Sequence, residues 1–143
     1  NNKMKVKIKR LHENAIIPKY QTLGSGCFDL TITSVKSQSK NMITYGTGLS
    51  FEIPEAFIGN IYPRSSIIKT GVRLANNVGK IDSDYRGEIL VVFDIINQDL
   101  PIYEVGERCC QMDIVPIIQV EFEEVRELSE SKRGSKGFGS SGK

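Results

Sequence analysis

The chain has 143 residues, 39% of them hydrophobic and 25% charged, the length and mix of one soluble globular domain with a real core. Its net charge of +2 is too small to drive bulk binding to nucleic acid, no apolar run reaches the length of a membrane span, and no signal-peptide pattern opens the sequence. The single histidine, His12, excludes a His-rich metal site and leaves any Ser-His-Asp or Cys-His device dependent on that one residue. Catalysis is therefore expected to fall to carboxylates, aided by a bound magnesium ion, with His12 on the surface.

The dominant period is two, the period of strands. Met4, Val6 and Ile8 alternate with lysines. Phe28, Leu30 and Ile32 follow the same rule, as do Leu49, Phe51 and Ile53. Ile89–Ile96 is nearly all apolar and reads as a central strand buried on both faces. Cys110, Met112 and Ile114 alternate next, then Ile118, Val120 and Phe122. Turn signals fall at Gly24-Ser25-Gly26, Gly46-Thr47-Gly48, Asn76-Asn77, Arg86-Gly87 and Val105-Gly106. One short helix is expected after Pro63, capped by Ser65 or Ser66, with Ile67 and Ile68 inward and Gly71 at its end. Many short strands at this spacing predict an all-β, jelly-roll-like barrel over residues 1–128. From Ser129 the composition turns to Gly, Ser, Lys and Arg, so 129–143 is expected to be a flexible arm. Three cysteines, Cys27, Cys109 and Cys110, are an odd number, and neighbours on a strand point to opposite faces. They read as reduced thiols in an intracellular protein, in cytoplasm or nucleus.

Five stretches carry chemistry. Gly137 to Lys143 has the spacing of a phosphate-binding P-loop, but no helix is expected after Lys143 to supply the field such a loop needs, so the match is read as chance. The same tail sets Arg133 ahead of Phe138, Gly139, Ser140 and Ser141: a guanidinium fork for phosphate, an aromatic face for a base, and glycines that let backbone N–H groups approach anions. Pro63 to Ser66, PRSS, places Arg64 and two hydroxyls at a helix start. Asn76 to Gly87, NNVGKIDSDYRG, reads as a hairpin ending in paired acids. Asp82 and Asp84 either share work as base and orienting group or bind Arg86 or Arg64. Gly24-x-Gly26 in GSGCFDL has Asp29 where a dinucleotide fingerprint needs its third glycine. That stretch and GERCCQM contribute one polar residue each, Asp29 and Gln111.

In this order, from Ser25 to Gly142, the stretches SGCFDL, PRSS, the Asn76–Gly87 segment, GERCCQM and RGSKGFGSSG resemble the five motifs of the trimeric deoxyuridine triphosphatase (dUTPase) family. The resemblance implies a jelly-roll homotrimer with active sites shared between subunits. It implies conversion of dUTP and water to dUMP and pyrophosphate with Mg2+, which limits uracil in DNA and supplies the dTMP precursor. By resemblance Asp82 is the catalytic acid that orients water at the α-phosphorus, and Tyr85 packs on the deoxyribose. Asn76, Gly79, Lys80 and Ile81 read the uracil edge, and Leu90 lines the substrate site. Arg64, Ser65, Ser66 and Gln111 hold phosphates, and Asp29 is an outer-shell partner of magnesium through water. Phe138 and Gly139 close over the base, with Arg133, Ser140 and Ser141 around the γ-phosphate. Cys27 and Ser66 stand where the first and second motifs usually have Gly, changes expected to alter phosphate geometry and lower the rate without removing a reacting group. Cys109 and Cys110 replace the usual small or apolar pair before Gln111, as core packing. A dCTP deaminase on the same fold, a nucleotide-binding regulator and a plain β-barrel interaction domain are the alternative readings.

Overall fold

A computed structural model describes residues 3–142; Lys143, the lysine of the P-loop spacing, lies outside them. The described residues form ten strands: β1 (Lys7–Arg10), β2 (Phe28–Thr31), β3 (Ser34–Gln38), β4 (Met42–Gly46), β5 (Leu49–Glu52), β6 (Phe57–Pro63), β7 (Val72–Leu74), β8 (Gly79–Ile81), β9 (Leu90–Ile95) and β10 (Arg108–Pro116). A short 3-10 helix spans Ser65–Lys69. One four-stranded sheet runs β2-β10-β6-β8, a second runs β3-β4-β9-β7, and β1 pairs with β5 in a two-stranded ribbon. Every pairing is antiparallel. The fold is the expected all-β, jelly-roll-like one.

The period-two pattern builds the core directly. Phe28, Met112 and Ile61 are cross-strand neighbours over β2, β10 and β6, and all three are buried. On the second sheet Ile43 and Leu74 flank Phe93. Phe93 also sits 5.7 Å from the rings of both Tyr45 and Tyr103, so the far end of the core is aromatic. Each such side chain contributes about 1.5–3 kcal/mol by leaving water. The Tyr45 hydroxyl donates to the Tyr103 carbonyl at 2.6 Å, which satisfies a buried polar atom and fixes the 101–105 backbone.

Several local expectations fail for tertiary reasons. The Ile118–Phe122 alternation makes no strand: among the described residues the last backbone hydrogen bond from this segment to the body is the Ile117 N–H donated to the Ala56 carbonyl, and Ile118 and Phe122 are about nine-tenths exposed. It joins none of the sheets among the described residues. The Ile89–Ile96 run is buried on one face only; Ile89, Val91 and Phe93 are inside while Leu90 and Ile96 are exposed. Gly46-Thr47-Gly48 is not a surface turn but a buried crossing from β4 to β5. There Thr47 Oγ1 donates to the Ile89 carbonyl at 2.8 Å and Gly48 takes φ +68. Nor is Asn76–Gly87 a hairpin of paired strands, because β7 and β8 belong to different sheets. The 3-10 helix is capped at Arg64 without a side-chain bond and ends at Thr70; Ile67 is buried but Ile68 is not. Gly71 instead lies where any Cβ would strike the Asn97 carbonyl oxygen.

The two neighbouring cysteines do not point to opposite faces. A bulge between Arg108 and Cys110 shifts the β10–β2 register, and both thiols turn inward, fully buried and 3.6 Å apart. They are free thiols, as expected, together with Cys27.

Candidate active site

The outer face of the first sheet carries one constellation. Asp29 on β2 and Tyr62 on β6 both pair with Gln111 on β10, so strand register brings residues far apart in sequence side by side. Gln111 Nε2 donates to the Pro63 carbonyl at 2.9 Å, fixing the chain where PRSS begins. Arg64 follows, and its guanidinium is held on two sides. Nε meets Asp29 Oδ1 at 3.2 Å. Nη1 donates to the Arg108 carbonyl at 2.9 Å and reaches Ser66 Oγ at 3.4 Å. Arg108 Nη1 completes the cluster on Asp29 Oδ2 at 3.0 Å. One carboxylate thus faces two guanidinium groups, and its side chain is only 10% exposed. The surplus charge is positive, which suits an anion. Arg64 Nη2 makes no hydrogen bond among the described residues, so it is the donor edge left for a ligand. Ser65, the next residue in the chain, is exposed.

The second constellation lies near the other end of β6. β8 is the edge strand of the first sheet, pairing Ile81 with Gly59 and Gly79 with Ile61. Its far backbone edge is unpaired among the described residues. A cavity of about 80 Å³ is lined by Asn76, Gly79, Lys80, Ile81 and Leu90, with Ile61, Leu74, Val91 and Val92. A neighbouring one of about 170 Å³ is lined by Lys80, Ile81, Asp82, Tyr85, Glu88 and Leu90. This accounts for the exposed Leu90: it faces a cavity, not a core. The acids do not take the arginine partners open to them. Arg86 pairs with Glu52 at 3.8 Å and Arg64 with Asp29, so the Asp82 carboxylate is exposed and without an ion pair among the described residues. Tyr85 is oriented by its hydroxyl, which donates to the Glu88 carbonyl at 2.9 Å. The ring lies so close over Gly87 that an added Cβ would strike Cε1 and Cζ as well as the hydroxyl.

Arg133, Phe138, Gly139, Ser140 and Ser141 join neither constellation. All five are exposed, and among the described residues Arg133 Nε donates only to the nearby Lys136 carbonyl at 2.8 Å. The two constellations are also apart from each other. Ile81 sits level with Gly59, and Arg64 lies past Pro63, the end of the same strand. At the rise of an extended chain that is about 16 Å.

A family model described as dUTPase matches residues 13–142. The deoxyuridine 5'-triphosphate nucleotidohydrolase of Nautilia profundicola is 45% identical, over 98% of this chain and 100% of that protein. That of Helicobacter hepaticus is 43% identical, over 97% and 89%. The chain belongs to the dUTPase family. Among solved structures of the family, the dUTPase of Staphylococcus bacteriophage 80alpha with dUPNHPP superimposes with a TM-score of 0.82 at 28% identity, covering 96% of this chain and 98% of that one. A variant of the phage phi11 dUTPase of S. aureus, described with a structural Mg(II) ion, shares the fold at a TM-score of 0.73 and 21% identity, over 89% and 100%.

The donor set also bears on magnesium. Among the described residues no group of three or more His, Cys, Asp or Glu gathers to hold a metal, so the chain offers no cage for a bare ion. Magnesium prefers to keep waters and to ride on phosphate oxygens. A single carboxylate between two guanidinium groups would fit such an ion only through water, and Asp29 is the carboxylate so placed.

Three contributors escape sequence reasoning. Arg108, within GERCCQM, has an evident charge but no visible partner, because Asp29 is placed beside it only by strand pairing. Tyr103 sits in an unremarkable PIYEV and reaches Ser66 only through the fold. Glu88 anchors the Asp82 loop: burial pushes its carboxyl up, but the Lys36 ammonium and the Gly48 N–H outweigh that and hold it below its ordinary value.

Proposed function

We propose that this member of the dUTPase family hydrolyses dUTP to dUMP and pyrophosphate, with magnesium carried on the triphosphate, in an active site assembled from more than one copy of the chain. The observation that carries the shared site is the strand length of about 16 Å between the Asp82–Tyr85 loop and Arg64. The sugar and first phosphorus of one nucleotide are only a few bonds apart. A sugar on Tyr85 of one copy therefore meets phosphates held by Arg64 of another, and a homotrimer satisfies this by symmetry.

In this reading Asn76 and the unpaired edge of β8, Gly79, Lys80 and Ile81, hydrogen-bond the uracil edge, and the tight cavity beside Leu90 leaves no room for a thymine methyl. Tyr85, held by the Glu88 carbonyl, packs flat on the deoxyribose and excludes a ribose hydroxyl. Asp82, unpaired and exposed, accepts a proton from water and aligns it for in-line attack at the α-phosphorus. Arg64 Nη2, Ser65, Ser66 and Gln111 hold the leaving phosphates. Magnesium, when bound, offsets their negative charge, with Asp29 touching its water shell. Arg133, Ser140 and Ser141 close on the γ-phosphate and Phe138, beside Gly139, covers the base, so that residues 129–143 act as a flexible arm. The reading makes the protein an intracellular enzyme of nucleotide metabolism.

The direct test is incubation with dUTP and magnesium. The wild-type protein is expected to release pyrophosphate, whereas Asp82→Asn binds dUTP with near-normal affinity but turns over at most about a thousandth as fast, the loss expected on removing a positioned base. Ammonia release from dCTP in place of pyrophosphate would favour the deaminase. Near-normal turnover in Asp82→Asn would remove that residue from its role.

A further inference from the structure

Tyr103 is almost fully buried, at 4% exposure. Its backbone is pinned by the Tyr45 hydroxyl, and its ring is packed on Phe93. Its hydroxyl emerges toward the phosphate constellation and lies 2.9 Å from Ser66 Oγ. No other hydrogen-bond partner of that hydroxyl exists among the described residues, and a buried phenol places its proton on an acceptor. Burial also pushes the phenol's pKa up, so it stays protonated throughout the working range of pH.

We propose that Tyr103 is a positioning residue for triphosphate binding, acting through Ser66 on Arg64. The proton count gives the arrangement. A guanidinium can only donate, so Ser66 Oγ accepts from Arg64 Nη1. The Tyr103 proton fills the second lone pair of the same oxygen. The Ser66 hydroxyl proton is then the one left over, and it points away from both. Ser66 becomes a donor aimed at the ligand, and Arg64 Nη1 is held so that Nη2 faces outward. A serine without Tyr103 behind it is free to rotate its proton toward any nearby acceptor, so the Ser66 hydroxyl is no longer aimed at the ligand and its contact with Arg64 Nη1 is less firmly fixed.

This inference rests on the reading that Arg64 and Ser66 hold phosphate, and the variants separate the two. Tyr103→Phe keeps the ring and removes only the hydroxyl. It is expected to raise the KM for dUTP about three- to tenfold, the cost of one hydrogen bond, while kcat changes by less than about twofold. Ser66→Ala, at a partly exposed position, is expected to raise KM comparably and to stay folded. The double variant should be no worse than Ser66→Ala, because both changes remove one relay. Arg64→Lys, which keeps charge but loses the planar fork, is expected to raise KM more. An unchanged KM in Tyr103→Phe, or additive effects in the double variant, overturns the relay if Arg64→Lys is impaired. An unchanged KM in Arg64→Lys as well overturns the phosphate reading with it. Should Tyr103→Phe fold poorly, a Ser66→Ala variant with wild-type KM is by itself sufficient to reject the relay.

Discussion

At the scale of single residues, the candidate site is a set of side chains held by partners distant from them in sequence. Arg64 illustrates this: its charge is legible in PRSS, but its direction is set by Asp29 and by the Arg108 carbonyl, neither of them near it in sequence. Glu88 does the same for the Asp82 loop, with Oε1 2.9 Å from Lys36 Nζ and Oε2 accepting the Gly48 N–H at 3.0 Å. Burial opposes ionisation there, and the two partners more than offset it, so the folded carboxyl titrates below its ordinary value of 4.5. A depressed folded pKa means the unfolded chain binds the proton first. The stabilisation is therefore complete above pH 4.5 and lost as pH falls through the folded value. Glu88→Gln is expected to cost about 1–2 kcal/mol at pH 7, the worth of a charge-assisted pair on a mostly covered group. It should also flatten that part of the acid limb in urea denaturation. An acid limb as steep as wild type would show that Glu88 contributes none of it.

At the scale of elements, alternation locates strands whose two faces differ, and loses those whose faces do not. β2, β5 and β10 are evident in the sequence because Phe28, Phe51 and Met112 are inside while polar residues alternate with them. β6 is not, since FIGNIYP mixes Gly59 and the buried Asn60 into its core positions. Asn60 is admitted there because Lys80 Nζ donates to its Oδ1 at 2.6 Å and its amide donates to Asp113 Oδ1 at 3.1 Å. The bulge at Cys109 likewise has no sequence mark. The segment after Ile117 is the reverse case: a strand pattern and a motif with no partner among the described residues. Among the described residues, truncation after Arg126 removes only exposed side chains, so the melting temperature is expected to stay within a few degrees. In contrast, kcat/KM should drop on the order of a hundredfold or more through loss of Arg133 and Phe138. Full activity in the truncated protein would show that the segment closes over nothing.

At the scale of the whole molecule, the two constellations sit near opposite ends of β6, and this predicts complementation between copies. Arg64→Ala and Asp82→Asn should each be nearly inactive alone. Unfolded together and refolded at equal amounts, they should recover about a quarter of wild-type activity, because a random cyclic assembly pairs an intact Arg64 with a neighbour's intact Asp82 in that share of sites. No recovery would place both residues of a working site in one chain. The amino-acid sequence by itself determined the all-β class, the dominant strands, the reduced cysteines and the candidate reacting groups, since these follow from residue type, periodicity and motif order, which are local. Only the tertiary structure decided that Asp29, Arg64, Arg108 and Gln111 share one face, that Tyr103 stands behind Ser66, and that Asp82 lies far from them all. The reason is physical: cross-strand register joins residues with no fixed separation along the chain, and it is set by how the sheets bury their apolar faces, not by any one segment.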